Sequence, residues 1–171
     1  PKREQQTSHR LQHSSSEYPP PAVFAKIDIS AVVGPMGNGK STHLMTLAKF
    51  LATENYRVIA LKHAFDTRCA PDKIGTHDHQ LLSGSSISSL PTEMTNTNQR
   101  TFFLIDEIQF FPAAEIAPFI TMCRENNAQA TLFGLDKDIL TNTSFPAYEA
   151  LIYMDVPIAR RDFQKCNSCH T

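Results

Sequence analysis

The chain has 171 residues, 41% of them hydrophobic, and a formal net charge of −1. This is enough for one domain with a proper core, and the near-neutral charge makes no electrostatic claim on nucleic acid, so a nucleic-acid partner is not expected. No apolar run approaches the ~18–20 residues of a membrane span, and the first residues lack the apolar centre of a secretion signal, so a soluble, cytoplasmic protein is expected.

Residues 1–22 are polar, with Ser14-Ser15-Ser16 and Pro19-Pro20-Pro21, and are expected to form a disordered tail. His9 and His13 have helical metal-ligand spacing, but no further ligand supports them. The domain proper is expected over residues 23–160. An apolar strand over residues 27–33 leads directly into Gly34-Pro35-Met36-Gly37-Asn38-Gly39-Lys40-Ser41-Thr42, which fits the phosphate-binding pattern Gly-x4-Gly-Lys-Ser. A helical pattern follows, with Leu44, Leu47, Ala48 and Leu51 at i, i+3, i+4 and i+7. Each residue type has a role there. Glycines permit the tight turn that aims backbone N–H groups inward, and the helix N-terminus adds the positive end of its dipole. Lys40 reaches the β- and γ-phosphates of a bound nucleotide, and Ser41 helps hold Mg2+.

A second strand is expected over residues 58–61. Beyond it, Asp66-Thr67-Arg68 falls where ligands bind in an open α/β sheet, past the C-terminal ends of the strands, although a plain surface turn has the same pattern. Residues 71–86 show no clear periodicity. Within them Thr76-His77-Asp78-His79 invites a metal reading, against the simpler one of a solvated loop. Residues 87–90 suit a short strand and residues 91–100 a polar helix or connector. A buried strand over 101–105 ends in Asp106-Glu107-Ile108-Gln109, as a Walker B element requires. Asp106 is placed to hold Mg2+. Glu107, past the strand end, is free to turn toward the site as a general base on a hydroxyl or a water. A helix is expected over 113–124, beginning near Glu115 because Pro118 must sit in its first turn. A strand over 130–133 precedes Gly134-Leu135-Asp136. Phe145-Pro146-Ala147-Tyr148 then leads into a short helix and a last strand near 152–154.

The four cysteines are read as thiols or metal ligands rather than a disulfide framework. Cys166-x2-Cys169 is half of a tetrahedral zinc site, with His170 poorly spaced as a third ligand. A redox pair is a weaker alternative, and haem attachment lacks supporting context.

Taken together, these segments resemble the thymidine kinase family of the phosphate-loop type, shared by bacteria, poxviruses and animal cytosol. The loop with its Gly34-Pro35-Met36 opening, Asp66-Thr67-Arg68, Thr76-His77-Asp78, Asp106-Glu107-Ile108-Gln109-Phe110-Phe111-Pro112 and Gly134-Leu135-Asp136 match the family's motifs in order. The resemblance implies an α/β fold, a mostly parallel sheet with flanking helices on a RecA-like nucleotide-binding core, followed by the start of a zinc-type subdomain over 161–171. It implies transfer of the γ-phosphate of ATP to the 5′-hydroxyl of thymidine with Mg2+, in a homo-oligomer that is commonly a tetramer. Glu107 would be the base, Asp106 and Ser41 the Mg2+ side, and Arg68 the group that stabilises the transferring phosphoryl. Residues 34–42, Asp66, Thr67, Arg68 and the run Asp106 to Gln109 would line the ATP phosphates. Met36, Phe110, Leu135, Ile139 and Phe145 would line the nucleoside pocket.

The chain also departs from the family pattern. Gly37-Asn38 stands where the family commonly has Phe-Ser. Asp138-Ile139 replaces an aromatic that packs on the nucleoside. The segment that closes over the nucleoside, and the second zinc-ligand pair, do not follow Cys166 and Cys169, so zinc is expected to bind weakly or only between chains. The chain is expected to be either a fragment or a kinase-like protein without that lid. Three functions remain open at this point: a nucleoside kinase, a kinase-like nucleotide binder without activity, and an ATPase acting with nucleic acid in which Glu107 activates water.

Overall fold

Continuous apolar runs of five or six residues suit strands buried on both faces, and a parallel sheet covered by helices is the architecture that buries them so. The computed structural model of the chain describes residues 18–75 and 81–160. Its elements in order are α1 (Pro21–Phe24), β1 (Ile29–Val33), α2 (Lys40–Thr53), β2 (Arg57–His63), β3 (Lys73–Gly75), β4 (Leu81–Ser83), β5 (Ser85–Ile87), β6 (Thr101–Asp106), α3 (Ile116–Glu125), β7 (Gln129–Gly134), α4 (Pro146–Tyr153) and β8 (Ile158–Arg160). Two short 3-10 turns, Ile108–Phe110 and Ala113–Glu115, join β6 to α3. Six strands form one sheet in the order β5-β2-β6-β7-β1-β8, and every pairing is parallel. β3 and β4 form a separate antiparallel pair.

Alternation along the central strands divides the core between the two faces of the sheet. Phe103, Ile105, Ala31, Ala130 and Leu132 pack against Phe119, Ile120 and Cys123 of α3 and Leu151 of α4. Phe102, Leu104, Val32 and Phe133 point the other way, onto Leu44, Leu47, Ala48 and Leu51 of α2. The helical pattern seen in the sequence is therefore the buried face of α2. Each fully buried leucine there contributes about 1.5–3 kcal/mol relative to exposure. The one polar pair deep between β1 and β7 is satisfied internally: the Ser30 and Thr131 hydroxyls lie 2.9 Å apart on register-matched residues. With all six strands parallel, the loops after β1, β2, β6 and β7 leave from one edge, and that edge carries the site.

Four expectations are corrected. The fold begins before residue 23. Pro21 sits at the first turn of α1, Phe24 is fully buried, and the Tyr18 ring lies 5.0 Å from His43 of α2, so residues 18–22 are packed on the domain rather than part of a tail. Residues 71–86, unreadable by periodicity, hold β3 and β4, whose three-residue strands are too short to show a repeat. The strand expected at 87–90 lies earlier, as β5, and residues 91–100 are connector. Of the strand expected at 152–154, Ile152 and Tyr153 end α4 and Met154 is its C-cap, and the last strand among the described residues is β8, which follows Pro157 and the left-handed Asp155. His9, His13, His77, Asp78, His79, Cys166, Cys169 and His170 lie outside the described residues. No helix among the described residues is long and apolar enough to cross a membrane.

His43 ties the first residues of the fold to α2. Its ring lies 5.0 Å from both Tyr18 and Phe24, and its Nε2 is buried without a hydrogen-bond partner among the described residues. Burial depresses its pKa to about 4. A histidine whose folded pKa is lowered stabilises the fold above its unfolded value and withdraws that stability as pH falls toward the folded one. Stability should therefore drop by ~2–3 kcal/mol between about pH 6.5 and pH 4 from this group alone. Urea unfolding of wild type and His43→Phe across that range checks it, and an equally steep fall in the variant contradicts it.

Candidate functional site

The phosphate loop is the turn between β1 and α2. Gly37 (φ 73°) and Gly39 (φ 77°) occupy the left-handed region, which side chains rarely adopt, and Gly39 delivers the chain into the first turn of α2. The Lys40 ammonium folds back over the loop and donates to the carbonyls of Gly34 (3.0 Å) and Pro35 (2.6 Å). Burial lowers its pKa, opposed by the charges of Glu107, Asp106 and Asp136. A cation held on two loop carbonyls is positioned for an anion in the same cradle.

Opposite the loop stand the ends of β2 and β6. Asp66 accepts two side-chain hydrogen bonds from Arg68, Nε at 2.7 Å and Nη2 at 3.1 Å, and the same guanidinium is hydrogen bonded to Glu107. One cation thus joins the two strand ends. Burial alone would raise the Asp66 pKa, but the hydrogen bonds and charge of Arg68, with Lys62 behind, bring it below the ordinary carboxylate value. The Arg68 pKa is raised, chiefly by the hydrogen bond to Asp66.

Asp106 ends β6 fully inside the protein. Its Oδ1 accepts the Glu107 N–H at 2.9 Å, while its Oδ2 is buried with no hydrogen-bond partner among the described residues. Burial first, and then the neighbouring Glu107 charge, pushes its pKa well up. Glu107 itself is left-handed (φ 57°, ψ 44°), an uncommon conformation for a residue with a side chain, costing on the order of 1–3 kcal/mol. That backbone turns its carboxylate toward the cavity, where Arg68 and the Gln109 amide both donate to it. The Gln109 carbonyl oxygen in turn accepts the Leu135 N–H at 3.1 Å. This bond needs β7 close by. A Cβ on Gly134 would stand 2.5 Å from Ile108 Cγ2 and 2.6 Å from Gln109 Oε1, so only glycine fits there. Asp136, just beyond, is ion-paired with Arg160 of β8.

These groups enclose a cavity of about 270 Å3. Of the residues singled out in the sequence, the structure brings together Met36, Gly37, Asn38, Gly39, Lys40, Ser41, Thr42, Asp66, Thr67, Arg68, Asp106, Glu107, Gln109, Phe110 and Leu135. Gly34 and Pro35 act through their carbonyls on Lys40. Besides Gly34 and Pro35, three expected residues do not line it. Ile108 is fully buried beneath the strand ends, Ile139 is 83% exposed on the loop after β7, and Phe145 caps α4 with its N–H on the Asp136 carbonyl. Asp138 Oδ1 accepts the N–H groups of Leu140 and Thr141, a local turn that holds Ile139 at the loop surface. The cavity also has two walls that sequence reasoning missed, Phe65 and Gly134. Phe65 directly precedes Asp66, so its adjacency to a motif was the available signal.

The ligand atoms of Asp66, Asp106 and Glu107 lie within 4.8 Å of one another. Carboxylate oxygens, one of them buried and unpartnered among the described residues, in a cavity that Ser41 also lines, are hard donors that fit Mg2+ rather than zinc. Cys69 and Cys123 are free thiols, and burial raises the Cys123 thiol to about 12.

Fold and site together are those of an α/β phosphate-loop nucleotide-binding domain. The family model described as thymidine kinase matches residues 27–168. Among curated relatives, the cytosolic thymidine kinase of Gallus gallus is 33% identical over 49% of this chain and 38% of its own length. The thymidine kinase of Amsacta moorei entomopoxvirus is 26% identical over 68% of this chain and 66% of its own. That of Bacteroides thetaiotaomicron is 29% identical over 69% and 59%. The chain belongs to the thymidine kinase family. It spans less than two thirds of the length of these three relatives.

The raised Asp106 pKa has a definite sign. The folded state holds this proton longer than the unfolded state, so stability falls as pH rises from the ordinary carboxylate range through the raised value. Asp106→Asn should therefore raise the melting temperature by a few degrees at pH 8 without divalent cation. Added Mg2+ should raise it further in wild type and not in the variant. Thermal unfolding with and without Mg2+ reads both, and an equal Mg2+ shift in the variant would exclude Asp106 as a ligand.

Proposed function

We propose that this chain transfers the γ-phosphate of ATP to the 5′-hydroxyl of thymidine, giving dTMP for nucleotide salvage. The observation that carries the reading is the Glu107 carboxylate, fixed by Arg68 and Gln109 across one cavity from the phosphate loop. Family membership supports the same reaction.

In this reading the loop amides, the N-terminus of α2 and Lys40 hold the phosphates. Lys40 exchanges its two loop carbonyls for phosphate oxygens. Ser41 and Asp106 would hold Mg2+, which when bound would neutralise charge on the phosphates. Glu107 accepts the proton of the attacking hydroxyl: each carboxylate oxygen has one donor, and lone pairs remain for the substrate. Arg68, anchored on Asp66, steadies charge on the transferring phosphoryl group, where positioning and electrostatics supply most of the rate. Met36, Phe110 and Leu135 receive the base. Assembly as a homo-oligomer, tetrameric as is common in the family, and a cytoplasmic location belong to the same reading.

The test is ATP-to-ADP turnover with and without thymidine, with Glu107→Gln in parallel. Thymidine should accelerate turnover, and the substitution should lower thymidine-dependent kcat by about 100-fold or more, as for loss of a general base. Turnover indifferent to thymidine would sink the kinase reading. A fully active Glu107→Gln would remove Glu107 from the base role.

A further inference from the structure

We propose that Phe65, positioned by the buried His63 beneath it, is a specificity-determining contact that takes the flat face of the nucleobase. This rests on the nucleoside kinase reading above. His63 closes β2 and is almost wholly buried, and its ring is a hub for three phenylalanines. The His63 centroid lies 4.5 Å from Phe65, 4.7 Å from Phe111 and 5.7 Å from Phe110. Its Nδ1 accepts the Phe65 backbone N–H at 3.0 Å, which fixes the turn that carries the ring. Phe65 then meets Phe110 edge to face, with centroids 5.9 Å apart and planes at 77°.

The result is an aromatic corner on the rim of the cavity. Phe65 is 72% exposed, Met36 63% and Phe110 42%, although all three line the same cavity. The same cavity is also lined by the charged groups of Lys40, Arg68 and Glu107, so apolar and charged walls share it. A ligand matched to that division has a planar, weakly polar end and a hydroxyl or phosphate end, as a nucleoside does. Aromatic side chains and bases stack through their π faces, and a ring held in place by its neighbours gives up little freedom on binding. Because the two rings are nearly perpendicular, a base lying flat on one meets the other edge-on.

Phe65 touches the base in this arrangement, and His63 acts through Phe65 as a positioning residue. The test compares wild type, Phe65→Ala, Phe65→Tyr and His63→Asn for the KM of thymidine and of ATP, and measures thymidine binding directly by saturation-transfer NMR in the presence of ADP. Phe65→Ala should raise the thymidine KM about 10-fold, in keeping with loss of one stacked ring. The KM for ATP should stay within about twofold, since the phosphate loop does not rely on this ring. Phe65→Tyr should restore binding, and His63→Asn should shift the thymidine KM in the same direction by less. An unchanged thymidine affinity in Phe65→Ala overturns the proposal and leaves the kinase reading standing. Thymidine binding that Phe65→Ala abolishes, in a protein without thymidine-dependent turnover, supports the aromatic contact while the kinase reading fails. Absence of thymidine binding to wild type overturns both.

Discussion

Three carboxylates from two strand ends, Asp66, Asp106 and Glu107, are gathered within 4.8 Å, and one guanidinium ties two of them, Asp66 and Glu107, together. At such distances two like charges repel by ~4 kcal/mol at an effective dielectric of 20. Arg68 offsets this by sharing its donors between Asp66 and Glu107. The buried Asp106 is left as the carboxylate that gains least from it. Much else at this edge of the sheet follows from that arrangement. Glu107 must adopt a left-handed backbone to reach the guanidinium, Gln109 must follow it to complete its hydrogen bonding, and β7 must come close enough to donate the Leu135 N–H. The absence of a side chain at Gly134 is the last step in this chain of contacts.

The two ends of the cavity are built on different principles. The loop end is backbone: amides, two left-handed glycines and two carbonyls that accept from a lysine. The opposite end is side chain: charges whose positions depend on one another through Arg68. A backbone cradle tolerates change in its side chains, and Asn38 is buried there without disturbing the turn. A network of charges does not tolerate change, because removing one partner leaves another buried and uncompensated.

Much of this was legible in the sequence because the motifs sit where apolar runs stop. β1, β6 and β7 are continuous hydrophobic strands, and the chemistry-bearing residues come directly after them, so strand ends and site could be read together. What escaped reading was local structure decided by distant contacts. Tyr18 looks like tail until the ring of His43 gives it something to pack on. Residues 152–154 have a β-like composition, but Pro146 starts a helix that runs to Tyr153, with Met154 as its cap, and leaves Tyr153 in solvent. The pairing of β3 with β4 leaves no periodic trace in strands of three residues. Phe65 reads as an ordinary apolar residue at a strand end, and only its contacts with His63 and Phe110 show where it is aimed.

The position of β1 in the sheet has a consequence for the order in which the protein assembles. The strand that aims the phosphate loop has no sequence neighbour beside it: its partners are β7 on one side and β8 on the other. The hydrogen bond between Ser30 and Thr131 closes a loop of 101 residues. Non-local pairing of this kind is slow, because chain entropy is lost before the contacts that compensate for it are made. During synthesis β1 and the loop it carries must wait for the chain to be made at least as far as Gly134 before they can enter the sheet. The nucleotide cradle, near the beginning of the domain in sequence, is thus among the last parts of it to take shape.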